Sequence, residues 1–234
     1  MKKIKVILAA LILTAGVAIL ISGCSIAGLK RQTDFNRSTT DTIDAHLYTT
    51  AWGYIKKRAY GSQTDTIFRR MYDGIIYSGI DTNEYIKPGR TFILLTNTAV
   101  ASYVWAKYRN GSAVGTKWQS YSPTDVKNYL SYLILLGEYS HYNLPLTITY
   151  AQTLAPAGVY TTNPTTFLAP GTFNPNPKSQ MLVRLSNANT VTSQLDYPIV
   201  LNETNNINTS DLLATNGVVS VLSSSAVAFF FPPQ

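Results

Sequence analysis

Few side chains in this sequence could carry out acid–base or nucleophilic chemistry. The 234 residues include two histidines, His46 and His141, and one cysteine, Cys24. No motif of a serine hydrolase, a zinc peptidase or a phosphate-binding loop is present, and the twelve acidic residues do not form the cluster of a calcium loop. We therefore predict a protein that is not an enzyme and has no cofactor and no metal. A hydrolase of envelope or extracellular polysaccharide is the alternative, because the fold could bring two distant carboxylates together.

Binding chemistry is better represented, in the segment KYRNGSAVGTKWQSYS at residues 107–122. Aromatic and cationic side chains are interleaved there with turn-forming residues. An aromatic ring flanked by cations can stack on a sugar ring or bind an acidic patch of a glycan or a protein. The predicted ligand-binding residues are Tyr108, Trp118, Tyr121, Lys107, Arg109 and Lys117. The alternative is that these aromatic residues form a lid over the core.

The N-terminus explains the single cysteine. A lysine-rich start at residues 2–5 precedes an apolar run at residues 6–21, and small residues follow. This is the order of a secretory signal, and the run is shorter than the approximately 20 residues of a membrane span; an uncleaved anchor helix is the alternative. The sequence ISGC, ending at Cys24, resembles the lipobox of bacterial lipoproteins, in which the cysteine is acylated. We expect a signal peptide at residues 1–23 and lipidation of Cys24.

This resemblance also implies where the protein works. Several acyl chains on Cys24 would hold it to a membrane more firmly than one chain could. The membrane is therefore an expected partner, and the expected location is the bacterial cell envelope, at the outer membrane or the cell surface. Residues 24–40 are polar and lack periodicity, which predicts a lipidated tether. With no second cysteine, no disulfide can form within the chain.

Charge and length limit the remaining possibilities. The net charge of +7 includes three lysines of the signal, which leaves 16 basic against 12 acidic residues in the mature chain. The densest basic run, Lys56–Arg58, is too short for the basic stripe of a nucleic-acid-binding protein, so no nucleic-acid partner is expected. A mature chain of about 210 residues can bury one good core. We predict a single domain at residues 41–234.

Spacing of apolar residues predicts helices in the first half of this domain. One stripe recurs at every fourth residue from Ile43 to Ile55, and residues 64–79 repeat the pattern up to Gly79. Both segments read as amphipathic helices, and Gly79 is placed to end the second.

Two further elements precede the second half. Phe92–Leu95 reads as a buried strand, and Thr96 or Asn97 could cap a following helix. Ser122–Asp125 has the serine, proline and acidic residue that begin a helix. We predict that this helix runs to Leu136.

After Tyr139 the pattern favours β-structure. Four short segments rich in β-branched residues predict strands at residues 146–153, 181–188, 197–204 and 217–224. A proline-rich insertion at about residues 152–180 separates the first two segments. Asn216 and Gly217 predict a tight turn near the C-terminus.

Three segments carry a family resemblance: RTFILLTNTAV at residues 90–100, YLSYLILLGEY at residues 129–139 and DLLATNGVVSVLS at residues 211–223. In this order they resemble motifs of the fasciclin domain, over about residues 41–233. The match has departures. Leu95 stands in place of a usual proline and Leu133 in place of a histidine.

The resemblance implies an α+β fold, a wedge of two β-sheets with helices packed along one side. Phe92–Leu94 and Val218–Val221 would then lie in the core, and Asn97 and Asn216 would order turns. In adhesive members of the family, the tyrosine and the histidine of the middle motif are linked to receptor binding. Here Tyr132 matches the tyrosine, and Leu133 stands at the histidine position. We expect a lipid-anchored envelope protein that mediates adhesion or binds glycan or protein ligands. A non-catalytic scaffold or accessory subunit of an envelope complex is the second alternative.

Overall fold

Helices and sheets both occur in the computed structural model, which describes residues 44–106, 109–110, 113–161, 175–187 and 197–225, with the backbone alone at 109–110 and 113–114. In this part of the chain the α-helices are α1 Ala51–Tyr60, α2 Arg69–Ser78, α3 Asn97–Ala99 and α4 Pro123–Tyr132. A π-helical segment, Val100–Trp105, follows α3 directly, and short 3₁₀-helices occupy Thr82–Tyr85 and Trp118–Ser120. The described residues from Ala45 onward form one compact unit.

The described strands form two four-stranded sheets and a small hairpin. They are β1 Arg90–Leu95, β2 Arg109–Asn110, β3 Ala113–Val114, β4 Ile134–Leu135, β5 Thr149–Ala151, β6 Met181–Leu185, β7 Ile199–Leu201, β8 Asn205–Asn206, β9 Thr209–Ala214 and β10 Gly217–Leu222. This combination confirms the predicted α+β class.

The first sheet has the order β4-β1-β10-β9. Strands β1 and β10 are parallel, with Phe92 opposite Val219, and β4 and β9 flank them in antiparallel orientation. The central strands are buried along almost their whole length, without the alternation of a one-sided sheet. A parallel pair inside a sheet is covered on both faces, which explains the continuous apolar runs in the sequence. The predicted core residues are confirmed as buried: Phe92, Ile93, Leu94, Val218, Val219 and Val221.

The second sheet, with the order β5-β6-β7-β8, is antiparallel throughout. It meets the first sheet where the residues after β5 run beside β4. The Leu136 amide donates to the Gln152 carbonyl (2.8 Å), and the Leu154 amide donates to the Ile134 carbonyl (2.9 Å). Buried side chains from the helices and both sheets form one hydrophobic core.

The proline-rich insertion predicted at residues 152–180 is described at both ends, while its middle lies outside the described residues. The Asn176 amide donates to the Tyr160 carbonyl (2.7 Å). The Ser179 hydroxyl donates to the Pro156 carbonyl (2.7 Å). The two ends of the insertion are therefore hydrogen-bonded to each other, and Asn176 and Ser179 are fully buried.

Side-chain caps begin three of the helices. The hydroxyls of Thr50, Thr96 and Ser122 each accept a hydrogen bond from the backbone amide three residues later. The caps at Thr96 and Ser122 are those that the sequence predicts. Gly79 ends α2 in the left-handed conformation (φ 63°), also as predicted.

The predicted start of the first helix is wrong. The apolar stripe begins at Ile43, but α1 begins at Ala51. The residues before α1 pair with β9 instead, because the Leu47 amide donates to the Leu213 carbonyl (2.8 Å) and the Leu213 amide donates to the Ala45 carbonyl (2.8 Å). Backbone groups of residues 45–47 that a longer helix would have used are therefore hydrogen-bonded to the edge of β9.

The predicted end of the last helix is also wrong. Instead of continuing to Leu136, α4 ends at Tyr132. Ile134 and Leu135 pair with β1. A run of four apolar residues suits a buried helix and a buried strand equally well, and the free edge of β1 decided between them.

Asn97 and Asn216 use their side chains as predicted, but over a longer range. The Asn97 amide group donates to the Thr66 carbonyl (2.6 Å), and its side-chain oxygen accepts from the Arg70 amide (2.8 Å). The Asn216 side-chain oxygen accepts from the Ala51 amide (2.9 Å). Asn97 therefore joins the start of α3 to the start of α2, and Asn216 joins the β9–β10 turn to the start of α1.

Candidate functional site

An open groove of about 360 Å³ lies between α2 and the segment that begins at Lys117. One wall comes from α2 and contains Arg70, Tyr72, Asp73, Ile76 and Tyr77. The other wall contains Trp105, Lys117, Trp118 and Gln119. Aromatic rings therefore form much of the lining, and charged groups lie among them. We call this site the groove.

Trp118 forms the fixed part of the second wall. It is 3% exposed, and its indole N–H donates to the Arg70 carbonyl (2.6 Å). Its ring packs edge-on against Trp105, with centroids 5.8 Å apart. Gly74 makes room for it, because a Cβ atom at that position would lie 2.6 Å from the Trp118 ring. The tryptophan is thus locked onto α2.

Tyr121 lies beneath the groove and supports it. Its hydroxyl accepts from the Gly115 amide (3.0 Å) and donates to the Trp105 carbonyl (3.3 Å). Its own carbonyl accepts a hydrogen bond from the Tyr77 hydroxyl (2.7 Å). Burial raises the pKa of the Tyr121 hydroxyl, so the group stays a neutral donor. The π-helical segment, the second wall and α2 are therefore fastened together at one residue.

Arg70 supplies an oriented cation. Its guanidinium carbon lies 5.2 Å from the centre of the Trp105 ring, and the guanidinium also donates to the Asn97 carbonyl (2.8 Å). A cation over an aromatic face is stabilised by the negative centre of the ring. Lys117, at the other wall, is exposed. The groove therefore presents two cations at its aromatic surface.

Asp73 is the acidic residue of the groove, and it already has a partner. The Tyr60 hydroxyl donates to its carboxylate (2.6 Å). This hydrogen bond is the main reason that the pKa of Tyr60 is raised. The Tyr60 hydroxyl is neutral, so the Asp73 carboxylate keeps its charge. Together with Arg70 and Lys117 it leaves the lining with one net positive charge, which favours a ligand with acidic groups.

The structure brings together only part of the predicted binding segment. Lys117 and Trp118 line the groove, whereas Tyr121, which is 4% exposed, is not one of its lining residues. The burial of Trp118 and Tyr121 agrees with the alternative prediction, in which these aromatic residues form a lid over the core. Lys107 and Tyr108 lie outside the described residues. Of Arg109 only the backbone is described, paired with Val114 in the β2–β3 hairpin.

The α2 side of the groove is absent from the sequence-based site. Its five lining residues lie about 40 positions before Lys117, and spacing alone gives no reason to join them. One signal was present in the helix pattern. Ile76 falls on an apolar row of α2 but is 54% exposed, so an apolar side chain stands at the edge of the groove without being part of the core.

Tyr132, the tyrosine of the middle motif, is fully buried rather than presented to a partner. Its hydroxyl donates to the Gln180 carbonyl (2.8 Å) and accepts from the side-chain amides of Asn202 (3.1 Å) and Asn176 (3.3 Å). Burial raises its pKa, which keeps the donating proton in place. We call these four residues the Tyr132 cluster. It connects α4 to the second sheet.

His141 is also engaged inside the fold. Its Nδ1 lies 2.5 Å from a carboxylate oxygen of Asp211, and its Nε2 lies 2.6 Å from the Tyr197 carbonyl. Since both ring nitrogens face acceptors, neither is placed to take a proton from a substrate. Among the residues that the structure describes, no group of three or more potential metal ligands occurs.

A second cavity, of about 250 Å³, lies between the 3₁₀-helix at Thr82–Tyr85 and α4. Glu84, one of its two acidic lining residues, is paired with Lys87 and Arg90. The hydrogen bond from Lys87 is the main reason that the pKa of Glu84 is lowered. Because no aromatic ring lines this cavity, the groove is the stronger candidate.

Comparison with known proteins does not assign the chain to a family. No protein-family model matches the chain, and no curated protein matches it in sequence. Within the described ranges, no helix combines the length and the apolar character that crossing a membrane requires.

Proposed function

We propose that the protein is a lipid-anchored cell-envelope protein that mediates adhesion by binding a glycan with acidic sugars in the groove. The observation that carries this proposal is the lining of the groove, in which Trp105, Tyr72 and Tyr77 lie beside Arg70 and Lys117. Aromatic faces bind the apolar face of a sugar ring, and cations attract its acidic substituents. Recognition of this kind needs no covalent step, and we propose that the protein is not an enzyme.

The fold gives separate support for a fasciclin-like domain. The segments that resemble the three family motifs contain β1, β4 and the β9–β10 hairpin, and these four strands lie side by side in the first sheet. Motifs that are far apart in the sequence thus meet in one structural unit. We propose on this basis that the residues after the tether form a single fasciclin-like domain.

The anchor is proposed from the N-terminal sequence, which lies outside the described residues. Replacing the acylated cysteine tests it. In a bacterial host, Cys24→Ser is expected to leave an unprocessed precursor or to release the protein from membranes. Incorporation of a fatty-acid analogue into the wild type and its loss from the variant is the measurement. Labelling that persists in Cys24→Ser contradicts the proposal.

The binding proposal is tested with the full chain, purified from membranes, on an array of neutral and acidic glycans. We expect saturable binding to acidic glycans that falls at least about tenfold in Lys117→Glu, because a repulsive charge replaces an attractive one at an exposed position. Lys57→Glu reverses an equally exposed charge on α1, outside the groove, and is the matched control. Binding should survive in the control.

Two other results would replace the proposal. If no glycan binds and one partner protein co-purifies stoichiometrically, the scaffold or accessory-subunit alternative is supported. If a glycan on the array is cleaved, and a carboxylate replacement abolishes the cleavage, the hydrolase alternative is supported.

A further inference from the structure

Exposed apolar side chains are concentrated around the segment that leads into β5. Tyr142 is 81% exposed, and Leu146, Ile148 and Tyr150 are between 40% and 50% exposed. The last three lie within five residues of one another, at the bend before β5 and in β5 itself. We call these four residues the apolar face.

The chain segment that forms the apolar face carries no charge of its own. Residues 139–177 contain no Asp, Glu, Lys or Arg. Strand β5 is the end strand of the second sheet, and exposed end strands in soluble proteins are usually protected by charged side chains. On the neighbouring strand β6, the charge of Arg184 is already paired with Glu203. Exposed Leu, Ile and Tyr beside a satisfied ion pair indicate an apolar counterpart.

The chain enters the folded unit next to this face. Ala45 accepts a hydrogen bond from Leu213 on β9. Two residues earlier on the same strand, Asp211 binds both the backbone amide and the ring of His141. His141 immediately precedes Tyr142. A short path therefore connects the beginning of the folded unit to the apolar face. It runs from Ala45 to Leu213, along β9 to Asp211, and from there to His141 beside Tyr142.

We infer that the apolar face lies on the bilayer that holds the Cys24 anchor. This inference rests on the proposed lipid anchor. Residues 25–43 lie between Cys24 and Asp44, and a polar chain of that length spans about 25 Å as a random coil. The anchor therefore keeps the face at high effective concentration beside the membrane. Tyrosine and aliphatic side chains are typical of protein surfaces at the lipid–water interface.

The single native cysteine makes a direct test feasible. In the lipidated protein Cys24 is blocked, so Ile148→Cys introduces the one thiol that can react with an environment-sensitive fluorophore. Tyr142→Cys gives a second probe at the most exposed position of the face. Lys57→Cys, on α1, is the control. The full chain is reconstituted into phosphatidylcholine vesicles, with and without lipids that carry a spin label near the headgroup.

We expect labels at positions 148 and 142 to shift to the blue and to be quenched at least about threefold more than the label at position 57. Equal quenching at all three positions in protein that floats with the vesicles overturns this inference and leaves the anchor intact. Protein that does not float overturns both. Shielding that grows with the ratio of protein to lipid assigns the face to a second copy of the chain, and likewise overturns the inference.

Discussion

The groove and the Tyr132 cluster use the same residue types for different ends. In the Tyr132 cluster every polar atom of the tyrosine has a partner inside the fold, and the ring is fully buried. In the groove the inner groups of Trp118 and Tyr77 are bound in the same way, but charged groups such as Lys117 remain at the surface. The comparison shows that aromatic and polar composition alone does not mark a binding site. What distinguishes the candidate site is that side chains such as Lys117 and Ile76 lie exposed at the groove instead of being buried inside the fold.

The largest effect is expected in the Tyr132 cluster. Tyr132→Ala should lower the free energy of unfolding by about 4 kcal/mol, because it opens a large cavity. It also leaves the buried amides of Asn202 and Asn176 without their acceptor. Urea denaturation followed by circular dichroism measures the loss. Tyr142→Ala removes an 81% exposed tyrosine and should change stability by less than about 0.5 kcal/mol; similar losses in both variants would erase the distinction between the two classes of tyrosine.

The next effect concerns the wall of the groove. Gly74→Ala should lower stability by about 2 kcal/mol, because the new methyl group overlaps the Trp118 ring. Helix propensity acts in the opposite direction, by up to about 1 kcal/mol. Thermal unfolding in a double-mutant cycle with Trp118→Phe isolates the contact. The cost of Gly74→Ala should shrink beside the smaller ring, and a cost that stays the same would show that Trp118 is not held against α2.

A smaller effect is expected at the edge of the Tyr132 cluster, where Arg184 binds Glu203, the neighbour of Asn202. The hydrogen bond from Arg184 is the main reason that the pKa of Glu203 is lowered. A carboxylate with a lowered pKa in the folded state stabilises the fold above its ordinary pKa, and this stabilisation is lost as the pH falls through the folded-state value. Glu203→Gln should therefore cost about 1 kcal/mol at pH 7.

The measurement for Glu203 is stability as a function of pH. The difference between the wild type and Glu203→Gln should close as the pH falls below about 4. Glu138→Gln replaces an exposed acidic residue and is the matched control. A difference that persists at low pH would mean that the loss comes from packing and not from the ion pair.

The smallest effect on stability is expected at the rim of the groove. Ile76→Ser should change the free energy of unfolding by less than about 0.5 kcal/mol, since Ile76 is 54% exposed, but it should weaken glycan binding about threefold. Leu146→Ser, in the apolar face, is the control with similar exposure and should leave glycan binding unchanged. Calorimetric titration measures the glycan binding of both variants. Equal binding by the wild type and Ile76→Ser would remove α2 from the site.

Local signals predicted much of the fold. The caps at Thr96 and Ser122, the stop at Gly79 and the strands around Phe92 and Val219 depend on neighbouring residues, and the structure confirms them. The start of α1 and the end of α4 could not be read in the same way. Both were decided by strand edges that belong to distant parts of the chain.

The groove was predictable only in part for the same reason. Lys117 and Trp118 are visible as an aromatic and cationic pair in the sequence, but the wall formed by α2 depends on the fit of Gly74 under the indole ring. That contact joins segments more than 40 residues apart. No local pattern contains it.

The sequence by itself determined the mixed helix and strand content, the buried pair of apolar strands and the uncharged stretch that begins after Glu138, because each follows from residues close together in the chain. Tertiary structure decided which polar side chains are used up internally, as at Tyr132 and His141, and which line an open groove. The physical reason is that hydrogen-bond satisfaction and burial are properties of contacts between distant segments, and those contacts form only when the sheets and helices pack together.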